Sequence, residues 1–250
     1  MVDPSAGHDD DLGRAVAELT GTADGQALGR VADLARSSMR AAGARSVATG
    51  RWLAEAVVDA APHLPIRDLD TLRAHHGDLS RPAMAEALVR SASRTTAGMG
   101  AAMGAAATAH ELLPPTWLAI PVELVVETLS VVAVEMKLVA ELHEVYGRPV
   151  TGTPAQRGIT LARAWAERRG VTARTLAEPG GMAQILGRTT RRQVVKLLQR
   201  RLARRGLRSL STVAPFLVGA AAGATLNARA TRSLGEAVAR DLAADVPPGR

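Results

Sequence analysis

No cysteine occurs in the 250-residue chain, which excludes disulfides and thiolate metal sites together. Aromatics are nearly as scarce: Trp52, Trp117, Trp165, Tyr146 and Phe216 amount to 2% of the residues. The interior must therefore be built from Ala, Val, Leu and Gly, small side chains that let helix backbones approach closely. β-Branched runs of period two are missing too, and with them the signature of strands, so the chain reads as all-α. The opening stretch "MVDPSAGHDDDLGRA" is acidic and has no apolar h-region, which leads us to expect a cytoplasmic protein.

What is present suffices for a folded body. Hydrophobic residues make up 47% and charged residues 22%, ordinary values for a globular chain. The Asp residues of "DDDLGRAVAELT" suit a helix N-terminus, where they oppose the dipole. From Gln26 to Ala61 the apolar spacing is helical, with Gly43 and Gly50 as candidate kinks, and "PHLPIRD" breaks the pattern. A short helix, "DLDTLRAHH", follows. Ser80 then caps a helix with Pro82 in its first turn, and this helix continues into "AGMGAAMGAAATAHELL". The longest apolar stretch runs from Trp117 to Tyr146, and Thr153-Pro154 starts another helix over 154–169.

Two stretches raise the question of a membrane. "WLAIPVELVVETLSVVAVEMKLVAELHEVYG" is long enough to cross a bilayer, but Glu123, Glu127, Ser130, Lys137 and Glu141 fall on one face of it. Each carboxylate at mid-bilayer costs roughly 2.5–3.5 kcal/mol, so an amphipathic helix central in a bundle fits better. Glu135 is off that seam. "PFLVGAAAGATLN" carries Gly219-xxx-Gly223, and Gly100-xxx-Gly104 lies upstream. Such spacing serves close packing inside a protein or a shallow entry into lipid.

Positive charge is segregated. The chain is net +7 with a pI near 11.1. Residues 111–146 hold six Glu against Lys137 alone, whereas the stretch 157–208 is dominated by Arg. In a helix over 188–206, Val194, Val195, Leu198 and Leu202 take one side. Arg188, Arg191, Arg192, Lys196, Arg200, Arg201, Arg204 and Arg205 cover the rest, and these eight are the candidate membrane or anion contacts. A solvated face, an anionic lipid surface and nucleic acid are the three partners open to such a helix. The absence of stacking aromatics and of a helix-turn-helix or zinc signature argues against nucleic acid.

Catalytic signatures are absent. His110-Glu111 and His143-Glu144 each begin an HExxH pattern, but residues 114 and 147 are Pro and Gly. His75-His76 are adjacent on a helix end and diverge. The Glu seam lacks the Glu-x-x-His repeat of di-metal bundles, and no nucleophile elbow or phosphate loop occurs. The expectation is a non-enzymatic protein with no cofactor and no metal.

"IPVELVVETLSVVAVEMKLVAELHEVYG" (120–147) resembles the central segment of the EcsC family, and "VAPFLVGAAAGATLNARATRSLGEAVARDL" (213–242) resembles its C-terminal pattern of proline, Gly/Ala run, Asn and amphipathic helix. The middle segment departs from that pattern in its extra Glu residues. As an actinobacterial relative of that family, the chain would be helical, with no catalytic residue to carry over and a membrane transporter as candidate partner. The resemblance also implies that Gly147 stops a helix after Tyr146 in the left-handed conformation, and that Asn227 ends or bends the Gly/Ala helix.

The expectation is thus an all-α multi-helix bundle of about eight helices, with a central apolar helix and Gly/Ala-rich packing helices near 97–109 and 213–226. Residues 1–25 would form a partly mobile acidic region and 26–245 one helical domain. The expected role is that of a peripheral accessory at the inner membrane, with a soluble helical interaction or nucleic-acid-binding protein as the alternative.

Overall fold

The periodicity of the chain resolves into helices throughout. The computed structural model describes residues 4–21, 25–48, 51–110, 122–168 and 214–245. Among these there are eight α-helices, one 3-10 turn and no strand. They are α1 (Pro4–Glu18), α2 (Gly25–Ala48), α3 (Arg51–Ala60), α4 (Leu69–His76), α5 (Arg81–His110), α6 (Val122–Val145), α7 (Pro154–Arg168) and α8 (Ala214–Ala244). The all-α bundle anticipated from composition is what forms.

Apolar spacing decides which face each helix turns inward. In α1 and the turn that follows it, Leu12, Ala15, Val16 and Leu19 recur at three- and four-residue intervals and are all buried, the stripe a core-facing helix requires. The helix begins earlier than its Asp run suggested, at Pro4, and its buried residues join the same core as those of the other helices. α2 is interrupted at Gly43, whose φ of 82° no β-branched or bulky residue would adopt. Beyond it, the indole of Trp52 on α3 donates to Ser38 Oγ at 2.7 Å, which satisfies both buried polar groups at once.

α6 is the centre. It touches every other α-helix, and its apolar residues are buried nearly all round: Val125, Val126, Leu129, Val132, Met136, Val139 and Leu142. A helix greasy on all sides is one surrounded by protein or by lipid. Here other helices surround it. Among the described residues no helix is long and apolar enough to cross a membrane.

Local signals set the helix ends. Asp68 caps α4 by accepting from Thr71 N at 2.8 Å. Thr153 and Gln156 form a reciprocal capping box at the start of α7, each side chain accepting from the other's backbone N–H at 3.3 and 3.0 Å. α6 stops as the Tyr-Gly pair implied. Gly147 has φ 71°, its N–H donates to Glu144 O, and Arg148 N–H donates to His143 O. That pair of bonds is the Schellman arrangement.

Asn227 is a correction. It does not end the Gly/Ala helix, because α8 runs unbroken from Ala214 to Ala244. Its amide instead donates to Glu127 Oε1 at 2.8 Å. A polar side chain with a partner on a neighbouring helix has no need to compete for its own backbone carbonyls.

α5 and α8 form the most extensive helix pair and run antiparallel, with Gly100 against Gly223, Thr96 against Thr231 and Val89 against Gly235. At Gly100 and Gly223 the backbones meet. A Cβ on Gly223 would lie 2.8 Å from the Gly100 carbonyl carbon, closer than real Cβ atoms come. The Gly/Ala tracts therefore pack on one another as well as on α6.

Candidate functional site

Three of the five carboxylates of α6 occupy three different surroundings. Glu141 lies against Arg67, in the connection before α4. Arg67 Nε and Nη2 donate to Glu141 Oε1 and Oε2, both at 2.8 Å, the two-pronged geometry that suits a guanidinium to a carboxylate. Lys137, one turn back on α6, lies 3.4 Å from Glu141 Oε1 and donates to Pro65 O at 2.6 Å. Burial lowers the Lys137 pKa, an effect that the Glu141 charge opposes and the Arg67 charge reinforces. These three residues help line a cleft of about 260 Å³ between α5, α6 and the turn after α1.

Glu135 was off the predicted polar face, and the structure gives the reason for its position. It is fully buried. Trp165 Nε1 of α7 donates to its Oε2 at 2.8 Å, and Thr231 Oγ1 of α8 donates to its Oε1 at 2.9 Å. Thr96 Oγ1 of α5 donates in turn to Thr231 Oγ1 at 3.0 Å. One carboxylate thus ties four helices together.

Glu127 is the third case. Burial raises its pKa above the usual carboxylate value, and the hydrogen bond from Asn227 partly counters that rise. The folded state therefore holds the proton more tightly than the unfolded chain does. This contribution to stability is present below the unfolded pKa and lost as pH rises through the raised folded value. Glu127→Gln keeps an acceptor oxygen for Asn227 and has no proton to lose. Its urea midpoint should exceed the parent's at about pH 7 and approach it near pH 4.

The predicted seam is thus half right. Lys137 and Glu141 do share a polar cluster, Ser130 bonds back to Val126 O, and Glu127 faces α8. The side chain of Glu123 lies outside the described residues. Arg67, at the heart of the cleft, was missed by sequence reasoning. It sits in "PHLPIRD", a stretch that reads only as a helix break, and nothing in the sequence pairs it with Glu141 across 74 positions.

Three histidines make hydrogen bonds within the fold. His143 Nδ1 lies 2.8 Å from Val139 O, His75 Nδ1 lies 2.7 Å from Thr71 O, and His63 Nε2 lies 2.8 Å from Asp10 Oδ1. Among the described residues no group of three or more His, Asp or Glu side chains could hold a metal ion.

The eight candidate contacts Arg188, Arg191, Arg192, Lys196, Arg200, Arg201, Arg204 and Arg205 lie outside the described residues. Their place in the charge balance is nonetheless definite. Residues 169–213 carry eleven Arg and Lys against Glu178 alone. With ten of positive charge there and +7 in all, the rest of the chain is net −3. No protein family, curated protein or solved structure matches this chain.

Proposed function

We propose that this protein is a non-enzymatic helical accessory that docks on the anionic inner face of a membrane, through Arg188, Arg191, Arg192, Lys196, Arg200, Arg201, Arg204 and Arg205. The observation that carries this reading is the charge balance: all the excess positive charge lies in one segment between α7 and α8, and the rest of the chain is net −3. A body that is itself repelled by anionic lipid places its attraction in one patch, which fixes its orientation at the surface. Each cation near an anionic leaflet contributes about 1 kcal/mol, so four of the eight in contact supply about 4 kcal/mol, roughly a thousandfold in partitioning. The EcsC resemblance supports the same location and suggests a membrane transporter as the protein partner.

Vesicle flotation tests this. The full chain should float with vesicles of mixed phosphatidylserine and phosphatidylcholine at about 50 mM salt and be released near 500 mM, where screening shortens to a few ångströms. Changing Arg191, Arg192, Arg200 and Arg201 to Gln together should reduce the bound fraction at least tenfold. A chain that ignores anionic vesicles at low salt would sink the reading. If the same chain is retained on DNA with a steep salt slope, the nucleic-acid alternative replaces it.

A further inference from the structure

The cleft above Glu141 has a chemistry independent of the basic segment. An ammonium offers three N–H donors and a guanidinium five, and neither can accept. Lys137 uses two of its three on Pro65 O and Glu141 Oε1. Arg67 directs two side-chain donors, on Nε and Nη2, to Glu141. Among the described residues the remaining N–H groups of both have no acceptor. The Glu141 carboxylate has little left to offer: its side chain is 3% exposed, Oε1 faces Arg67 N, Arg67 Nε and Lys137 Nζ, and Oε2 accepts from Arg67 Nη2. Two cations facing one carboxylate leave the cleft one positive charge and several free donors.

The walls limit what can enter. Leu88 and Ala92 of α5 and Leu138 of α6 are apolar, while Ser91 and Thr95 bring hydroxyls to the exposed rim. A volume of about 260 Å³ falls below the roughly 300–1,000 Å³ of pockets for drug-sized ligands. The occupant must be small, carry acceptors and a negative charge at one end, and bear an apolar tail at the other.

We propose that this cleft is a binding site for a small organic anion, whose carboxylate or phosphomonoester group is held by Lys137 and Arg67 while a short alkyl tail lies against Leu88 and Leu138. Burial supports this assignment. The Lys137 charge is costly where it stands, and a bound anion offsets that cost most strongly in a partly enclosed site of lowered dielectric.

Isothermal titration of the full chain with sodium butyrate, sodium propyl phosphate and butylammonium chloride tests the site. At least one of the two anions should bind saturably, one per chain, with a Kd of about 1 mM or tighter, and butylammonium should not bind. The two anion arms decide between carboxylate and phosphate. Lys137→Met should weaken binding at least tenfold. Ser91→Trp, at the exposed rim, keeps every charge and should block entry while leaving vesicle flotation unchanged. Circular dichroism shows which variants fold, and a folded one of the two is enough to decide. Absence of saturation by either anion up to about 20 mM overturns the proposal. So does binding that persists in a folded Lys137→Met or Ser91→Trp protein, since the anion would then sit on another part of the chain.

Discussion

Gly223→Ala should lower the melting temperature by about 6–12 °C, although alanine is the better helix former. In an open helix the change gains about 0.5–1 kcal/mol. At residue 223 the added methyl meets the backbone of Gly100, with the carbonyl carbon at 2.8 Å and the carbonyl oxygen closer still. Backbone atoms cannot swing aside as the end of a flexible side chain does, so α5 and α8 must separate along the most extensive helix contact in the fold. Overpacking typically costs about 1–3 kcal/mol, and the upper end applies where both sides are rigid. For a chain of this size about 3 kcal/mol corresponds to about 6–12 °C. Gly100→Ala should behave alike, since its Cβ would sit 2.6 Å from the Gly223 carbonyl carbon and 2.7 Å from Asn227 Nδ2. The internal control is Gly98→Ala, on the same helix with nothing within 4 Å, which should be neutral or stabilising. Thermal unfolding followed by circular dichroism reads all three. Parent-like melting of Gly223→Ala would mean that the two backbones do not touch there.

The glycines also show where sequence reading reaches its limit. Spacing picked out Gly100 and Gly223 as residues of close-packing helices, because a missing side chain is visible in a sequence. It could not say that the two face each other, since partner choice depends on the relative position of helices over 100 residues apart. The same division runs through the polar residues. Local devices were legible: the Thr153 start, and the Gly147 stop that the resemblance implied, each act within a few residues of themselves. Glu135 was not, because periodicity places it among Val134 and Met136 on apolar faces and gives no hint of Trp165 or Thr231. Arg67 was hidden in the same way. Its role depends on Glu141, which a connection of no fixed pattern brings within 2.8 Å. Asn227 was misread for the related reason that a helix-ending residue and one bonded to a neighbouring helix look alike in one dimension.

Glu135→Leu should be the most costly of the polar substitutions, at about 3–5 kcal/mol. Leucine fills nearly the same volume, so little cavity cost enters. The loss comes from the donors left behind. Trp165 Nε1–H and the Thr231 hydroxyl each lose an acceptor inside a dry core, at about 1–3 kcal/mol apiece. Glu135→Gln keeps one acceptor oxygen but turns an amide N–H toward the other donor, so an intermediate loss is expected. The triple change Glu135→Leu, Trp165→Phe and Thr231→Val removes the donors along with the carboxylate. It should recover most of the stability, as buried polar networks replaced as a unit often do. Urea unfolding of the single and combined variants measures that coupling directly. Equal stability of parent and Glu135→Leu would show that the carboxylate does not hold the four helices. The position of this residue also bears on function. Trp165 belongs to α7, which leads into the basic segment, and Thr231 to α8, which follows it. Glu135 therefore anchors α7 and α8 to the central helix, so Glu135→Leu should loosen those two helices before the rest of the bundle unfolds. Faster amide exchange confined to α7 and α8 under native conditions would be the sign of that order, and uniform acceleration across the eight described helices would refute it.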